Sequence, residues 1–463
     1  MKRISMIILA SLAGAGLFGQ DITGQWNGLL VVQGMKLRLV FNITKTDAGY
    51  STTMDSPDQG AKGIPVTSTT FENPNLTLKI PAATIEYTAV LKDGVFTGKF
   101  RQAGLTADLD LKRDAIDKPV TRRPQDPVKP YPYRSEEVTF ENKGAGVKLA
   151  GTLTMPSAPG KYPVAVLVSG SGPQNRDEEL LGHKPFLILS DYLTRNGIAV
   201  LRYDDRGTAA STGNFRQATT ADLATDAEAA IAYLKTRSEI DTKHIGIIGH
   251  SEGGIIGPMV AARSKDVAFV VMLAGPGMKG LDLLPLQSDL IAKASGTSGS
   301  DLASMQEINT RIFTIVAEAS DEAKLQNDLK AYLAGVIDKF PKDQKPENMK
   351  DEDFIQTMVN QIANPWMRYF LNYDPIPALK KMKCPVLALI GEKDLQVPAP
   401  ENLPLITKAL KKNRSAKVLE MPGMNHLFQV CKTGSPMEYA EIEETMSPKA
   451  LAEVAGWIQG TLK

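Results

Sequence analysis

This chain of 463 residues has little of what metal and disulfide chemistry require: 2 cysteines and 4 histidines. Cys384 and Cys431 allow one pair at most, which is no disulfide framework, and both are expected to be free, mostly buried thiols. No His-Glu-x-x-His, no Cys-x-x-Cys and no clustered His/Cys spacing occurs, so no metal site is expected. Gly144-Ala145-Gly146 lacks the third glycine of a dinucleotide loop, and no cofactor is expected either. An excess of one charge is also missing. Lys plus Arg number 53 against 52 Asp plus Glu, a formal +1, which provides no field to draw in nucleic acid or an anionic membrane. Long apolar runs are absent beyond Ile4–Leu12, which is too short to span a bilayer and is closed by Gln20 and Asp21.

That short run has a different meaning. Met1-Lys2-Arg3 is basic, Ile4–Leu12 is apolar, and Ala13-Gly14-Ala15-Gly16 is small, the pattern of a secretory signal peptide over residues 1–19. The mature protein is therefore expected to be exported, periplasmic or secreted. The remaining chain, long enough for two or three domains, has a 43% hydrophobic and 23% charged composition ordinary for a globular protein.

Residues 20–113 alternate apolar and polar with a period of two, as in Leu37, Leu39, Phe41 and Ile43, or Leu105, Ala107, Leu109 and Leu111. With Asp93-Gly94 as a hairpin turn, this predicts a small all-β sandwich or barrel acting as an accessory module. Residues 114–134 are proline-rich and carry Arg122-Arg123, which reads as a semi-extended linker with solvated charges. From residue 135 to 463 apolar strands alternate with amphipathic helices, the signature of a mostly parallel sheet covered on both faces. About a hundred residues, 278–382, separate two of these strands where one helix would do, and the excess is expected to form a helical cap.

One stretch carries the chemistry. The strand Ile245-Gly246-Ile247-Ile248 runs into Gly249-His250-Ser251-Glu252-Gly253-Gly254, a G-x-S-x-G motif followed by an apolar helix. A tight strand-to-helix turn there lifts the Ser251 hydroxyl clear of the sheet and aims the Glu252 N–H at a developing oxyanion. A serine needs an imidazole to take its proton, and the imidazole needs a carboxylate to fix its tautomer. Of the four histidines, His244 starts the strand beneath Ser251, His250 sits on the far side of the turn and His183 lies upstream. His426, in Asn425-His426-Leu427, follows the last strands and is the expected base. The carboxylate should end a strand between serine and histidine, which selects Asp394 in Gly391-Glu392-Lys393-Asp394, with Glu392 as runner-up. A second oxyanion donor is expected in Ser169-Gly170-Ser171-Gly172, from the N–H of Ser171, with Gly172 next. Arg206, among the acids of Asp204-Asp205-Arg206, reads as a structural ion pair.

Through these motifs residues 135–463 resemble the α/β-hydrolase superfamily, and within it bacterial exported esterases with an N-terminal β domain, a group also described as serine aminopeptidase-like or dienelactone-hydrolase-like. The resemblance implies an α/β fold, a mostly parallel central sheet with helices on both faces and a helical cap, preceded by a small all-β domain. It implies hydrolysis of a small-molecule carboxylic ester through an acyl-serine intermediate, with Ser251, Asp394 and His426 as the triad. An aminopeptidase on the same scaffold, holding a substrate ammonium with cap carboxylates, is the alternative; a non-catalytic binding protein is a more distant one. The oxyanion loop reads Ser-Gly-Ser-Gly where many relatives have His-Gly.

Overall fold

The computed structural model describes residues 21–32, 35–47, 49–57, 61–102, 105–116, 123–340 and 349–462. The expected signal peptide and residues 117–122 of the expected linker lie outside the described residues. The chain forms two compact units, Met1–Pro119 and Val120–Lys463.

The first unit is all-β. β1 (Gly24–Val32), β2 (Met35–Thr46), β3 (Gly49–Ser56) and β4 (Ala61–Val66) form one antiparallel sheet. β5 (Ser68–Glu72), β6 (Asn75–Ile80), β7 (Ile85–Lys92), β8 (Val95–Gln102) and β9 (Leu105–Leu111) form a second. The first strand and the end of the last are stitched by Asn27 and Lys112, whose N–H groups each donate to the other's carbonyl at 2.7 and 2.9 Å. The period-two residues face one core: Leu39, Phe41, Ile43, Leu76, Leu78 and Tyr87 are all buried. The Tyr87 hydroxyl, carried into that core, donates to the Leu109 carbonyl at 2.9 Å, as a buried phenol must.

The second unit is built on an eight-stranded sheet. In chain order it contains β10 (Tyr133–Asn142), β11 (Val147–Pro156), β12 (Tyr162–Val168), α1 (Pro185–Arg195), β13 (Ala199–Tyr203), α2 (Thr220–Leu234), β14 (Ile240–His250), α3 (Gly253–Ala261) and β15 (Phe269–Leu273). Next come α4 (Gly280–Ala294), α5 (Gly299–Glu318), α6 (Glu322–Val336), α7 (Asp351–Ile362), α8 (Pro365–Asn372) and α9 (Ile376–Lys381). The chain closes with β16 (Val386–Gly391), α10 (Ala399–Leu410), β17 (Ala416–Met421) and α11 (Pro448–Thr461). The strand order is β10-β11-β13-β12-β14-β15-β16-β17, parallel from β13 to β17 and antiparallel at the β10 edge. This is the α/β-hydrolase fold.

Its strands are apolar almost throughout because both faces are covered. Val164, Val166 and Val168 of β12 enter one core with α2 and α3, while Ala165 and Leu167 enter the other with α1 and α11. α2 opens on a reciprocal cap between Thr219 and Asp222, which satisfies donors the first turn leaves over. The chain runs from β12 to β13 on one side and places β14 on the other, a topological switch whose carboxyl-end crevice favours ligands. Helices α4–α9 fill the stretch expected to be a cap, with their own core of Ile308, Ile312, Leu329, Leu333, Val359 and Leu371. No helix among the described residues is long and apolar enough to cross a membrane.

One expectation needs correcting. Arg123, read as a solvated linker charge, is buried, and its guanidinium donates to the carbonyls of Ile442 (2.6 Å), Ala440 (3.0 Å) and Leu181 (3.1 Å). Gln125 likewise donates to Met446 O and accepts from Thr445 N. The end of the proline-rich stretch is thus structural in the second unit, because a planar guanidinium can satisfy several loop carbonyls that have no strand partner. Cys384 and Cys431 are both free and half-buried, and burial pushes the Cys384 thiol up to about 11.

Candidate active site

Ser251 sits between β14 and α3 in a left-handed conformation, φ 52°, that an L-residue adopts only when its surroundings impose it. The surroundings here are backbone. A Cβ on Gly249 would lie 1.9 Å from Gly253 O, and one on Gly253 would lie 2.0 Å from Val168 O. The turn is pinned to β15 by the Ser251 N–H, which donates to Leu273 O at 2.8 Å. Glu252 then begins the helical path with φ −57° and ψ −35°. Its main-chain N–H therefore belongs to the group of donors that a helix start leaves without intrahelical partners.

The loop after β12 passes beside the serine: a Cβ on Gly170 would come within 3.2 Å of Ser251 Cβ. Two buried carboxylates hold this loop. Asp205 accepts from Ser169 Oγ at 2.9 Å and from Gln174 N at 2.9 Å, while Glu178 accepts from Gly170 N at 2.8 Å. Burial pushes the Asp205 carboxyl well above its ordinary value, against the pull of those donors. Among the described residues, neither the Glu252 N–H nor the Ser171 N–H donates a hydrogen bond, whereas the Gly170 N–H is taken.

Asp394 and His426 meet from different loops. His426 Nδ1 lies 2.8 Å from Asp394 Oδ2, and both side chains are almost wholly buried. The other carboxylate oxygen accepts from the N–H groups of Gln396 and Val397, each at 2.8 Å, so the acid cannot turn away. With Nδ1–H donating to the carboxylate, Nε2 is left as the acceptor, the tautomer that a general base requires. The loops approach this closely because Gly391 has no side chain: a Cβ there would sit 2.3 Å from Met424 O. Asn425 folds its own loop, accepting from Leu427 N and Gln429 N at 3.0 Å.

The remaining candidates fall elsewhere. Glu392 accepts from Gly423 N at 2.7 Å and is a turn residue. His244 pairs with Asp241 at 2.7 Å. Arg206 makes a buried pair with Asp226 at 2.6 Å, the structural role expected for it.

Three features were not visible in the spacing. His250, placed on the far side of the turn, aims its ring at Glu178 and at the His426 carbonyl, at 2.9 and 3.0 Å. Trp366 of α8 donates its indole N–H to Glu252 Oε1 at 2.8 Å, bringing the cap onto the residue after the serine. Glu178 itself occupies a left-handed backbone position, φ 51°.

Residues 145–424 match the X-Pro dipeptidyl-peptidase (S15) family. The chain is similar to esterase EstD of Thermotoga maritima, 24% identical over 393 residues covering 84% of this chain and 80% of that one. Among solved structures it is similar to the Pyrococcus furiosus esterase Pf2001, with 14% identity, 72% and 92% of the two chains covered and a TM-score of 0.42. It is also similar to Est1E of Butyrivibrio proteoclasticus with ferulic acid bound, with 17% identity, 70% and 97% covered and a TM-score of 0.40.

Proposed function

The chain belongs to the X-Pro dipeptidyl-peptidase (S15) family, and from that premise we propose a serine hydrolase that cleaves small carboxylic esters through an acyl-Ser251 intermediate. The observation that carries this reading is the buried Asp394–His426 pair at 2.8 Å in a fold whose strand-to-helix elbow presents Ser251 at φ 52°.

In the proposed scheme the Ser251 hydroxyl attacks the ester carbonyl as His426 Nε2 takes its proton. The carbonyl oxygen becomes an oxyanion held by the N–H groups of Glu252 and Ser171, aided by the positive end of α3. His426, now an imidazolium steadied by Asp394, returns the proton to the departing alkoxide. Water, activated by the same imidazole, then attacks the acyl-serine and releases the acid. No metal or cofactor takes part in this scheme.

Two observations favour esters. The curated relative is an esterase, and the acid next to Ser251, Glu252, is buried, which pushes its carboxyl up towards the neutral form. Peptide cleavage, as in the family's description, is the second reading. Export after removal of residues 1–19 is part of the proposal, and mass measurement of the mature protein from the producing cells tests it.

Ser251→Ala tests the mechanism. Turnover of a nitrophenyl ester should fall by roughly 10⁴-fold or more, and a fluorophosphonate should label Ser251 in the unaltered protein only. Near-normal turnover in the variant would remove the scheme.

A further inference from the structure

Behind the Asp394–His426 pair lies a second carboxylate–imidazole pair that the hydrolytic scheme does not use. Glu178 and His250 are 5% and 7% exposed. His250 Nδ1 faces Glu178 Oε1 at 2.9 Å, and His250 Nε2 faces the main-chain oxygen of His426 at 3.0 Å. The same Glu178 oxygen accepts the N–H of Gly170, in the loop beside Ser251, at 2.8 Å.

The proton positions follow from the partners. A carbonyl oxygen only accepts, so Nε2 carries a proton. An ionised carboxylate also only accepts, so Nδ1 carries one too, and the ring is an imidazolium matched by its own counter-ion. Burial pulls the His250 ring down, but Glu178, the His426 carbonyl and the more distant Asp394 outweigh it and hold the ring above its ordinary value. The titratable groups facing the ring are Glu178 from the β12 loop and His426 with Asp394 behind it, while Asp205 lies on the far side of Glu178. The other walls, from α1, β15 and the histidine loop, are apolar: Phe186, Leu189, Leu273, Leu427 and Met446.

We propose that Glu178 and His250 act together as positioning residues for hydrolysis, one ion pair fixing both the main chain of the base His426 and the oxyanion loop at Gly170. This rests on the triad reading above. The two loops that must hold register around Ser251 come from opposite sides of the switch point, and His250 touches both, through the Glu178 carboxylate and the His426 carbonyl. A general base displaced by about 1 Å loses roughly 10²-fold in rate, so a fixed anchor on its backbone acts on kcat. The two rings also pack against each other, with centroids 4.9 Å apart.

The first test uses the unaltered enzyme with ¹⁵N-labelled histidine. One histidine should stay protonated on both ring nitrogens to higher pH than an ordinary imidazole does, and its signals should vanish in His250→Gln. The second is kinetic. With nitrophenyl acetate, His250→Gln and Glu178→Gln should each lower kcat roughly 10- to 100-fold, with KM changed by no more than about threefold. The double variant should be no slower than the worse single one. A bare Nδ1 at neutral pH, or His250→Gln with unaltered kcat, overturns the proposal. Failure of the triad reading itself would look different, as persistent activity in Ser251→Ala. Should a variant not fold, the spectrum of the unaltered enzyme still decides.

Discussion

The indole N–H of Trp366 donates to Glu252 Oε1 across 2.8 Å, joining cap helix α8 to the residue that follows the proposed nucleophile. Glu252 is 1% exposed, and the Thr220 and Ser171 hydroxyls also lie against its carboxyl.

Trp366→Phe keeps an aromatic ring to stack on Phe370, whose ring centroid is 5.1 Å away, and removes the donor together with part of the indole's apolar surface. A buried carboxyl then loses a partner, which costs about 1–3 kcal/mol. Because burial already raises the carboxyl, the cost is smallest at low pH and grows as pH rises through the folded-state value. The expected result is a lower melting temperature at pH 8 than at pH 5 relative to the parent, with KM for bulky esters altered more than for acetate. A uniform loss across pH would show that packing, not the carboxyl, is responsible.

Asp394→Asn tests the tautomer. The amide oxygen can still accept from Gln396 and Val397, which are 2.8 Å from Oδ1, so the loop should hold. What changes is the partner of His426 Nδ1, and kcat should fall by about 10³- to 10⁴-fold with little change in thermal stability. A loss below tenfold would demote the acid to a structural role.

Much of the fold was legible because its patterns are local. Period-two runs marked β2, β6, β7 and β9, continuous apolar runs marked β12–β16, and the excess of 278–382 marked the cap helices. The elbow at Ser251 and the meeting of Asp394 with His426 were legible because these residues are punctuated by glycine or follow a strand end. Arg123, His250 and Trp366 were not, for a common reason. Each acts through a partner far away in sequence, Ile442, Glu178 and Glu252 respectively, and no periodicity encodes such a pairing. A buried arginine in a proline-rich stretch looks the same on paper as a solvated one.

Arg123 leads to a prediction about where the second unit begins. Its three carbonyl partners lie in the 181 and 440–442 segments, so Arg123→Ala leaves those carbonyls without a charged donor and should cost about 2–3 kcal/mol. A fragment starting at residue 120 should accordingly melt well above one starting at residue 133, while both hydrolyse a small activated ester. Equal melting temperatures would mean that the Arg123 contacts are dispensable.

His183 sets an acid limit on stability. It is fully buried, with Nε2 2.7 Å from Tyr439 O and 3.1 Å from the Gln429 amide nitrogen and Nδ1 2.9 Å from the Thr445 hydroxyl, none of which supplies a counter-charge to an imidazolium. Burial, reinforced by nearby Arg123, holds it down to about 4, against an ordinary 6.5. As pH falls from 6.5 to about 4 the unfolded chain takes up a proton that the folded one refuses, and up to about 3 kcal/mol of stability is lost. Urea midpoints should drop over that window in the parent and drop less in His183→Gln. Parallel slopes in the two proteins would assign the loss to other groups.

The last prediction separates ester from peptide hydrolysis. An alkoxide leaves readily, but an amine must be protonated as it departs, in the proposed scheme by His426, and peptide cleavage therefore needs closer positioning of the substrate. In an enzyme that reads a free amino terminus, a carboxylate near the serine usually supplies that grip as a counter-charge. Glu252 is the acid adjacent to Ser251 in sequence, yet it is buried and its Oε1 already accepts from Trp366, so an ammonium would have to displace the indole to reach that oxygen. The cap adds apolar surface through Trp366 and Phe370. Nitrophenyl butyrate should therefore be turned over with kcat/KM at least about tenfold above that for alanyl-prolyl nitroanilide. Glu252→Gln should leave the ester rate within about threefold, since the amide oxygen can still accept the indole N–H. A kcat/KM that favours the anilide, and that collapses in Glu252→Gln, would reverse the assignment and make this carboxyl the ammonium site of a peptidase.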